Sequence, residues 1–300
     1  DITYPSSPMY LCYNPELLKG MMDPIFYYSE SGKWTKPFAA HDVGTYPQAN
    51  GQTYGGDMPV EESGNMLILT AAIASVEGNA DYAAKHWDVL TTWADYLKKE
   101  GLDPANQLCT DDFAGHFAHN TNLSIKAIMG VASYAKLAEM LGKADIAKTY
   151  MDEARDMASK WVTMAKDKDH YRLTFDQPGT WSQKYNLVWD RLLGYNLFPA
   201  EVATTEMAFY KTHQNMYGLP LDCREDYTKS DWILWTACLT GVDADFQELL
   251  DPVWKYADET TSRVPLSDWH YTSNGDQRGF QARSVVAGYY MKLLHEKLKK

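Results

Sequence analysis

The stretch VEESGNMLILTAAIASVEGNADYAAKHWDVLTTWADYLKKEG, residues 60–101, holds two helical patterns of different kinds joined by the short link EGN at 77–79. Its first part is apolar on nearly all sides after the opening acids. Its second part places Tyr82, Trp87, Leu90, Trp93, Ala94 and Leu97 at three- and four-residue spacing, with Lys98, Lys99 and Glu100 on the opposite side and Gly101 as a stop. An all-round apolar helix must be buried, whereas a one-sided helix covers a core and faces water. The unit is a helical hairpin with one buried and one surface arm.

The same alternation runs through the chain. One-sided segments near 14–30, 79–101, 143–166, 199–215 and 243–259 alternate with more apolar ones near 59–77, 120–141, 183–195, 229–241 and 278–298. From a buried helix to the next surface helix the links are short, as in GK at 142–143 and TGV at 240–242. The links in the other direction are long: roughly 31–58, 102–119, 167–182, 216–228 and 260–277, rich in Gly, Pro, Asp, Tyr and Trp. A ring of hairpins accounts for this asymmetry, because successive buried helices then run parallel and every long loop emerges at one end. The expected fold is all-α, an α/α toroid occupying 1–300 as one domain. Six hairpins need twelve helices and about ten are read, so one hairpin is expected from sequence upstream of Asp1.

Bulk properties exclude several functions. With 45% hydrophobic and 13% aromatic residues the chain can bury a large core. A net charge of −12 with scattered Lys and Arg offers no stripe for a phosphate backbone, so nucleic acid is not an expected partner. No apolar run reaches the roughly 20 residues that span a bilayer. The opening DITYPSSPMYLCYNPE lacks the basic and apolar regions of a signal peptide, which leaves an already removed leader compatible. Cys12, Cys109, Cys223 and Cys238 are far apart and form no CxxC pair; neither a zinc knuckle nor a disulfide scaffold is indicated.

The long loops carry the candidate chemistry. The first brings His41, Asp42, Tyr46 and Tyr54 among many glycines and ends in Glu61 and Glu62, in the first turn of a buried helix. The second, TDDFAGHFAHNTN from residue 110, brings Asp111, Asp112, His116, His119 and Asn120. Capping explains one or two of these groups and leaves the rest without a reason. His116 and His119 lack an HExxH-like ligand set, so no metal and no cofactor is called for. The later loops supply Trp181, Lys184, Asp222, Arg224, Lys229, Asp231, Asp268, Trp269 and Arg278, which suit either salt bridges or the stacking surface and polar anchors of a small polar ligand.

Long strings of unusual composition resemble the glutaminase A family of fungi and bacteria: FAAHDVGTYPQANGQTYGGDMPVEESGNM, LCTDDFAGHFAHNTNLSIKAIMGVASYAKLAEMLG, DHYRLTFDQPGTWSQKYNLVWDRLL, YGLPLDCREDYTKSDWILWTA and GFQARSVVAGYYMKLL. The resemblance covers essentially the whole chain. It implies a six-hairpin glycosidase-type helical domain, preceded in the family by a β-rich domain that would be this domain's partner. It also implies an extracellular or periplasmic setting and release of ammonia from glutamine. The superfamily is dominated by carbohydrate-active enzymes, and no catalytic set carries over residue by residue.

Three readings stay open: an amidohydrolase, a glycoside hydrolase, and a non-catalytic module that binds a saccharide. No hydroxyl sits in GxSxG or SxxK, so a carboxylate-activated water is easier to assemble than a serine mechanism. Adjacent residues in one helical turn point about 100° apart, so one member of each acidic pair can aim at substrate while its neighbour caps or pairs. The expected catalytic groups are Glu61 or Glu62 and Asp111 or Asp112, with Asp42. Substrate contacts are expected from His41, Tyr46, His119, Asn120, Trp181, Lys184, Asp268, Trp269, Gln281 and Arg283.

Overall fold

A computed structural model describes residues 2–299. The described residues form twelve α-helices, three short 3-10 helices and one three-stranded sheet. They fall into two compact units, Tyr13–Trp161 and Ile2–Cys12 together with the chain from Val162 onward.

The first unit contains α2 (Pro15–Glu30), α3 (Pro59–Glu77), α4 (Asp81–Lys85), α5 (Trp87–Glu100), α6 (Thr121–Met140) and α7 (Ala144–Ala165) as far as Trp161. Helix α3 starts with Pro59, where a missing amide costs nothing, and stops at Gly78, which takes the left-handed φ of 72°. It is buried from Val60 through Ala74, and α6 is buried from Thr121 through Ala135. The two cross at glycines. A Cβ added to Gly130 would lie 3.3 Å from Gly64 Cα, and one added to Gly64 would lie 2.5 Å from Lys126 Cγ. Helix α5 lays Leu90, Trp93, Ala94 and Leu97 into the core, as its periodicity predicts.

The second unit contains α1 (Thr3–Tyr13), α8 (Val188–Leu192), α9 (Ala200–His213), α10 (Ser230–Thr236), α11 (Asp243–Glu259) and α12 (Met291–Leu298). Strands β1 (Tyr227–Lys229), β2 (Trp269–Tyr271) and β3 (Gln277–Gly279) pair antiparallel in that order, with Tyr227 opposite Tyr271 and Lys229 opposite Trp269. An aromatic cluster centres on Tyr4, whose ring lies 6.2, 6.1 and 5.1 Å from Trp189, Trp232 and Trp235. Its hydroxyl donates to Asn186 Oδ1 at 2.8 Å and accepts from Trp189 Nε1 at 2.8 Å.

Four differences from the sequence expectation have physical reasons. The count of ten helices misses α1, because TYPSSPMYLCY carries two prolines and two serines. Pro8 cannot donate to the Tyr4 carbonyl four residues back; the Ser7 hydroxyl does so instead, at 2.8 Å. The single helix expected over 79–101 is interrupted at His86, whose ring stacks on Phe26 at 3.9 Å and whose Nδ1 binds Glu30 Oε1 at 2.7 Å. Helices expected over 183–195, 229–241 and 278–298 are shorter: 3-10 turns occupy Tyr185–Leu187 and Ser284–Tyr290, while β1 and β3 take the chain at 227–229 and 277–279. Around DQPG, which the sequence reads as a short strand pair or turn, the chain takes turns, with the isolated bridge Lys166–Tyr171 ahead of them, and the sheet forms instead where aromatic and β-branched residues cluster in the fourth and fifth long loops.

Candidate active site

In the first unit, Asp42 organises the loop ahead of α3. Its carboxylate accepts from Gly44 N at 2.7 Å, Thr53 N at 3.0 Å, Thr53 Oγ1 at 3.2 Å, Tyr54 N at 3.1 Å and His41 Nδ1 at 3.0 Å. Burial acts to raise this carboxyl, but the bonds from Thr53, His41, Tyr54 and Gly44 outweigh it and hold it at about 2. Asp42 is an anion that shapes the loop. His41 stacks on Tyr54 with ring centroids 4.0 Å apart, and Tyr54 remains 42% exposed. Tyr46, 90% exposed, stands in solvent.

The two acidic pairs divide their labour. Glu61 is 1% exposed; its Oε1 accepts from Thr110 Oγ1 at 2.9 Å and from the ammonium of Lys126, which is fully buried and also donates to Asn65 Oδ1 at 2.7 Å. Glu62, next in the turn, accepts from Asn65 Nδ2 at 3.1 Å. Asp111 is buried and accepts from Cys109 Sγ at 2.8 Å, Asn120 Nδ2 at 3.2 Å and Asn122 Nδ2 at 3.3 Å. Asn120 in turn caps α6 by accepting from Leu123 N at 2.9 Å. Asp112 is half-buried in a 3-10 turn, Asp112–Ala114. Burial first, then the charge of Asp111, with Glu61 adding, push its carboxyl up to about 6.

Tyr54 feels one member of each acidic pair. Burial raises its hydroxyl, and the charges of Asp112 and Glu62 raise it further, so both carboxylates act on one phenol. Tyr54 is thus within electrostatic reach of Glu62 and Asp112, while Asp42 and His41 hold its loop. His119 is turned to Asp103, 2.7 Å from its Nδ1, with φ at +64°. Cys109 is buried and donates to Asp111, and burial, then the Asp111 charge, push its thiol well above the usual range.

The second unit holds its own charged network. Lys229 Nζ donates to Asp231 Oδ1 at 2.8 Å and contacts Asp268 Oδ2 at 2.6 Å; Arg283 grips Asp268 through Nε at 3.1 Å and Nη2 at 2.5 Å. Burial opposes the charge of Asp268, but Arg283 and Lys229 prevail and lower its carboxyl. Asp231 is raised by its complete burial despite Lys229, and its Oδ2 has no hydrogen-bond partner among the described residues. Lys184 is fully buried, its ammonium on Tyr171 O at 3.1 Å, Ser182 O at 2.9 Å and Ser182 Oγ at 3.2 Å, with Glu206 at 3.8 Å. Trp181 is buried against Phe209, Tyr210 and His213. Both are therefore packed into the fold rather than held out to a ligand. Trp269 is half-buried beside Phe280, and Gln281 is exposed with its amide on Pro265 O at 3.2 Å.

Sequence reasoning missed Lys126 and placed Tyr54 only as one residue of a glycine-rich loop shaped to approach a ligand. A lone lysine inside an otherwise apolar buried helix is the signal for the first, since a buried cation requires an anionic partner. Among the described residues no group of three or more His, Cys, Asp or Glu is arranged to hold a metal, and no helix is long and apolar enough to cross a membrane.

Comparison with known proteins places the chain. Residues 1–293 match the family described as the glutaminase A six helical-hairpin domain. Glutaminase A of Aspergillus oryzae is 38% identical over 98% of this chain, and a probable glutaminase of Arthroderma benhamiae is 28% identical over 99%. The chain spans less than half of these relatives, 44% and 45% of their lengths. Among solved structures, a glycosidase in complex with glucose is similar with TM-score 0.67 over 99% of this chain and 86% of that one, at 13% identity. A bacterial glucoamylase complexed with acarbose is similar at the same TM-score, over 99% of this chain and 48% of that one, at 10% identity. The all-α toroid class read from the helix alternation, with the six-hairpin glycosidase type that the resemblance implies, is thereby shown, and the chain belongs to the glutaminase A six helical-hairpin domain family.

Proposed function

We propose that this chain carries a carboxylate acid/base site that hydrolyses the side-chain amide of glutamine. The observation that carries the reading is the contrast between two acids of the long loops: Asp112 is held to about 6, so it keeps its proton into the weakly acidic range, while Asp42 is held at about 2. Asp112 donates its proton to the departing nitrogen. Glu62 accepts a proton from the attacking water as its oxygen bonds to the amide carbon. The C–N bond breaks, giving glutamate and ammonia, and the two carboxyls exchange protons with solvent to reset. Tyr54, within electrostatic reach of both acids, orients the substrate, and Asp42 with His41 fixes the loop that carries Tyr54. The name of the 38% identical relative supports the amide substrate.

The second reading is cleavage of a glycosidic bond by the same pair, with Asp112 protonating the leaving oxygen. The shared fold with a glucose-bound glycosidase and an acarbose-bound glucoamylase favours it, as analogy of fold. The proposal extends to an exported protein, extracellular or periplasmic, in which a β-rich domain precedes this one. A paired assay on the full-length protein tests the choice: ammonia release from glutamine is expected, and sugar release from a glycan panel without ammonia rejects the amide reading.

A further inference from the structure

His86 stands where α4 ends and α5 begins, with φ −117° and ψ 21°, and its ring is held by three contacts. It stacks on Phe26 with centroids 3.9 Å apart, packs T-shaped against Tyr82 at 5.1 Å, and binds Glu30 Oε1 through Nδ1 at 2.7 Å. An ionised carboxylate only accepts, so Nδ1 carries a proton, and the uncharged ring then has its lone pair on Nε2. Nε2 has no hydrogen-bond partner among the described residues, although the side chain is only 15% exposed. The break between α4 and α5 thus fixes an acceptor in place.

His86 lines a cleft of about 680 Å³ that lies wholly within the first unit, between the end of α2, residues 34–37, the end of α4 and the first two turns of α5. Tyr54, Glu62 and Asp112 do not line it. Its volume falls in the roughly 300–1,000 Å³ range of pockets for drug-sized ligands, more than a single amino acid needs. The charged side chains around it are compensated or exposed. Glu30 pairs with His86 and Lys36 with Asp57, while Lys85 and Asp88, one of each sign, stand exposed. No unbalanced charge calls for an ionic ligand. Hydroxyls, which both donate and accept, suit the mixture of imidazole, carboxylate and ammonium groups. Trp34 and Trp87 are half-buried, with Lys36 4.8 Å from the first ring centroid and Lys143 5.1 Å from the second, so they give an apolar wall rather than an open stacking platform. A chain of rings with many hydroxyls on apolar C–H frames, an oligosaccharide, matches both the polar groups and the wall.

We infer that this cleft binds an oligosaccharide apart from the reacting groups, with one ligand hydroxyl donating to His86 Nε2 and another to the Asp88 carboxylate. The site serves to hold the protein on a glycan, whichever bond the reacting groups cleave. The test is calorimetric titration of the 300-residue chain, in weakly alkaline buffer, with maltohexaose, cellohexaose, xylohexaose, mannohexaose and chitohexaose, beside spermidine and L-glutamine. Saturable binding of at least one hexaose is expected, with Kd about 1 mM or tighter. His86→Phe keeps the stack on Phe26 and removes Nε2, and should weaken that hexaose roughly tenfold. Asp88→Asn, at an exposed position, should weaken it by a smaller factor. Asp112→Asn should bind it as the parent does, because Asp112 does not line the cleft. Circular dichroism establishes that each variant is folded; if His86→Phe is not, the Asp88 and Asp112 variants decide. The inference is overturned if no hexaose binds, if folded His86→Phe or Asp88→Asn binds as tightly as the parent, or if Asp112→Asn loses the hexaose, which puts the sugar at the reacting groups. Binding of spermidine or glutamine without any hexaose makes the cleft a site for cations or amino acids and overturns it as well.

Discussion

Replacing Glu61 by Gln keeps the shape of a buried side chain and removes its charge. Glu61 and Lys126 are 1% and 0% exposed, so solvent cannot take over the ammonium of Lys126 when its counter-charge disappears. Burial already lowers the Lys126 pKa, and the Glu61 charge opposes that shift; without it the lysine is left on Asn65 Oδ1 or gives up its proton. Breaking one side of such a pair costs about 3–5 kcal/mol, a large share of the roughly 5–15 kcal/mol that holds a domain folded. At about 2–4 °C per kcal/mol for chains of 150–250 residues, the melting temperature should fall by roughly 6–20 °C. Lys126→Met should cost a similar amount, since it strands the carboxylate. The double variant removes both charges and should recover at least about 2 kcal/mol of the summed losses. Thermal melts of all three, with urea midpoints as a check, measure the cycle. A melt of Glu61→Gln within 2 °C of the parent (about the size of an ordinary surface substitution), or a double variant no better than the sum of its parts, refutes the pairing. The outcome also decides how activity is read, because a loss in Glu61→Gln that follows its unfolding is no sign of proton transfer.

Asp112→Asn should lower turnover of the full-length enzyme by roughly 100-fold or more at pH 6, measured as ammonia release, with the fold retained by circular dichroism. In the proposed mechanism the acid form is the donor, so kcat/KM should fall as pH rises through about 6, and Asp111→Asn, by deleting the like charge, should move that limb to lower pH. His270 is fully buried, stacks 3.6 Å from Tyr256, and is held to about 4 by burial. Its folded pKa lies below the unfolded 6.5, so it takes nothing from stability above pH 6.5, and stability drains away as pH falls from 6.5 toward 4. The loss is about 2 kcal/mol between pH 7 and pH 5; urea midpoints of His270→Gln should lack that part of the decline. Gly130→Ala places a methyl 2.5 Å from Leu97 Cδ1 and 3.3 Å from the Gly64 backbone, so despite better helix propensity it should lower the urea midpoint by about 1–2 kcal/mol; a midpoint above the parent's counts against the close crossing of α3 and α6.

Legibility followed the physical signal. The alternation of all-round and one-sided apolar segments was readable because burial demands it, and α3, α5 and α6 lie where their periodicity puts them. Helix α1 was hidden because its stability comes from burial and from Ser7 replacing the amide that Pro8 lacks, neither of which a propensity records. The break at His86 depends on Phe26 and Glu30, sixty residues and fifty-six residues earlier in the chain, and no local pattern carries that information. The sheet was hidden for the same reason, since β1 and β2 are three-residue strands separated by α10 and α11 and exist only as partners. At the candidate site, residue type located the acidic pairs, but which member was structural depended on Lys126, Asn65 and Asn122, whose positions follow from the packing of α6.

That division gives the buried members of the pairs an electrostatic task as well as a structural one. Asp111 accepts from a thiol and two amides, none of which carries a formal charge, and its charge is the largest influence on Asp112 after burial. Glu61 is paired with Lys126, and its effect on Asp112 ranks below that of Asp111. A neutral partner set on one acid and a lysine on the other thus keep one proton on Asp112 without loading the whole loop with uncompensated charge. Moving the cation would reverse the arrangement: a lysine beside Asp111 would draw the Asp112 carboxyl back toward the ordinary range and remove the acid near pH 6. The neutral Asn120 and Asn122 are therefore as much a part of the acid as the carboxyl itself, and their exchange for aspartate should raise the Asp112 pKa further, at a cost in stability from a second buried anion.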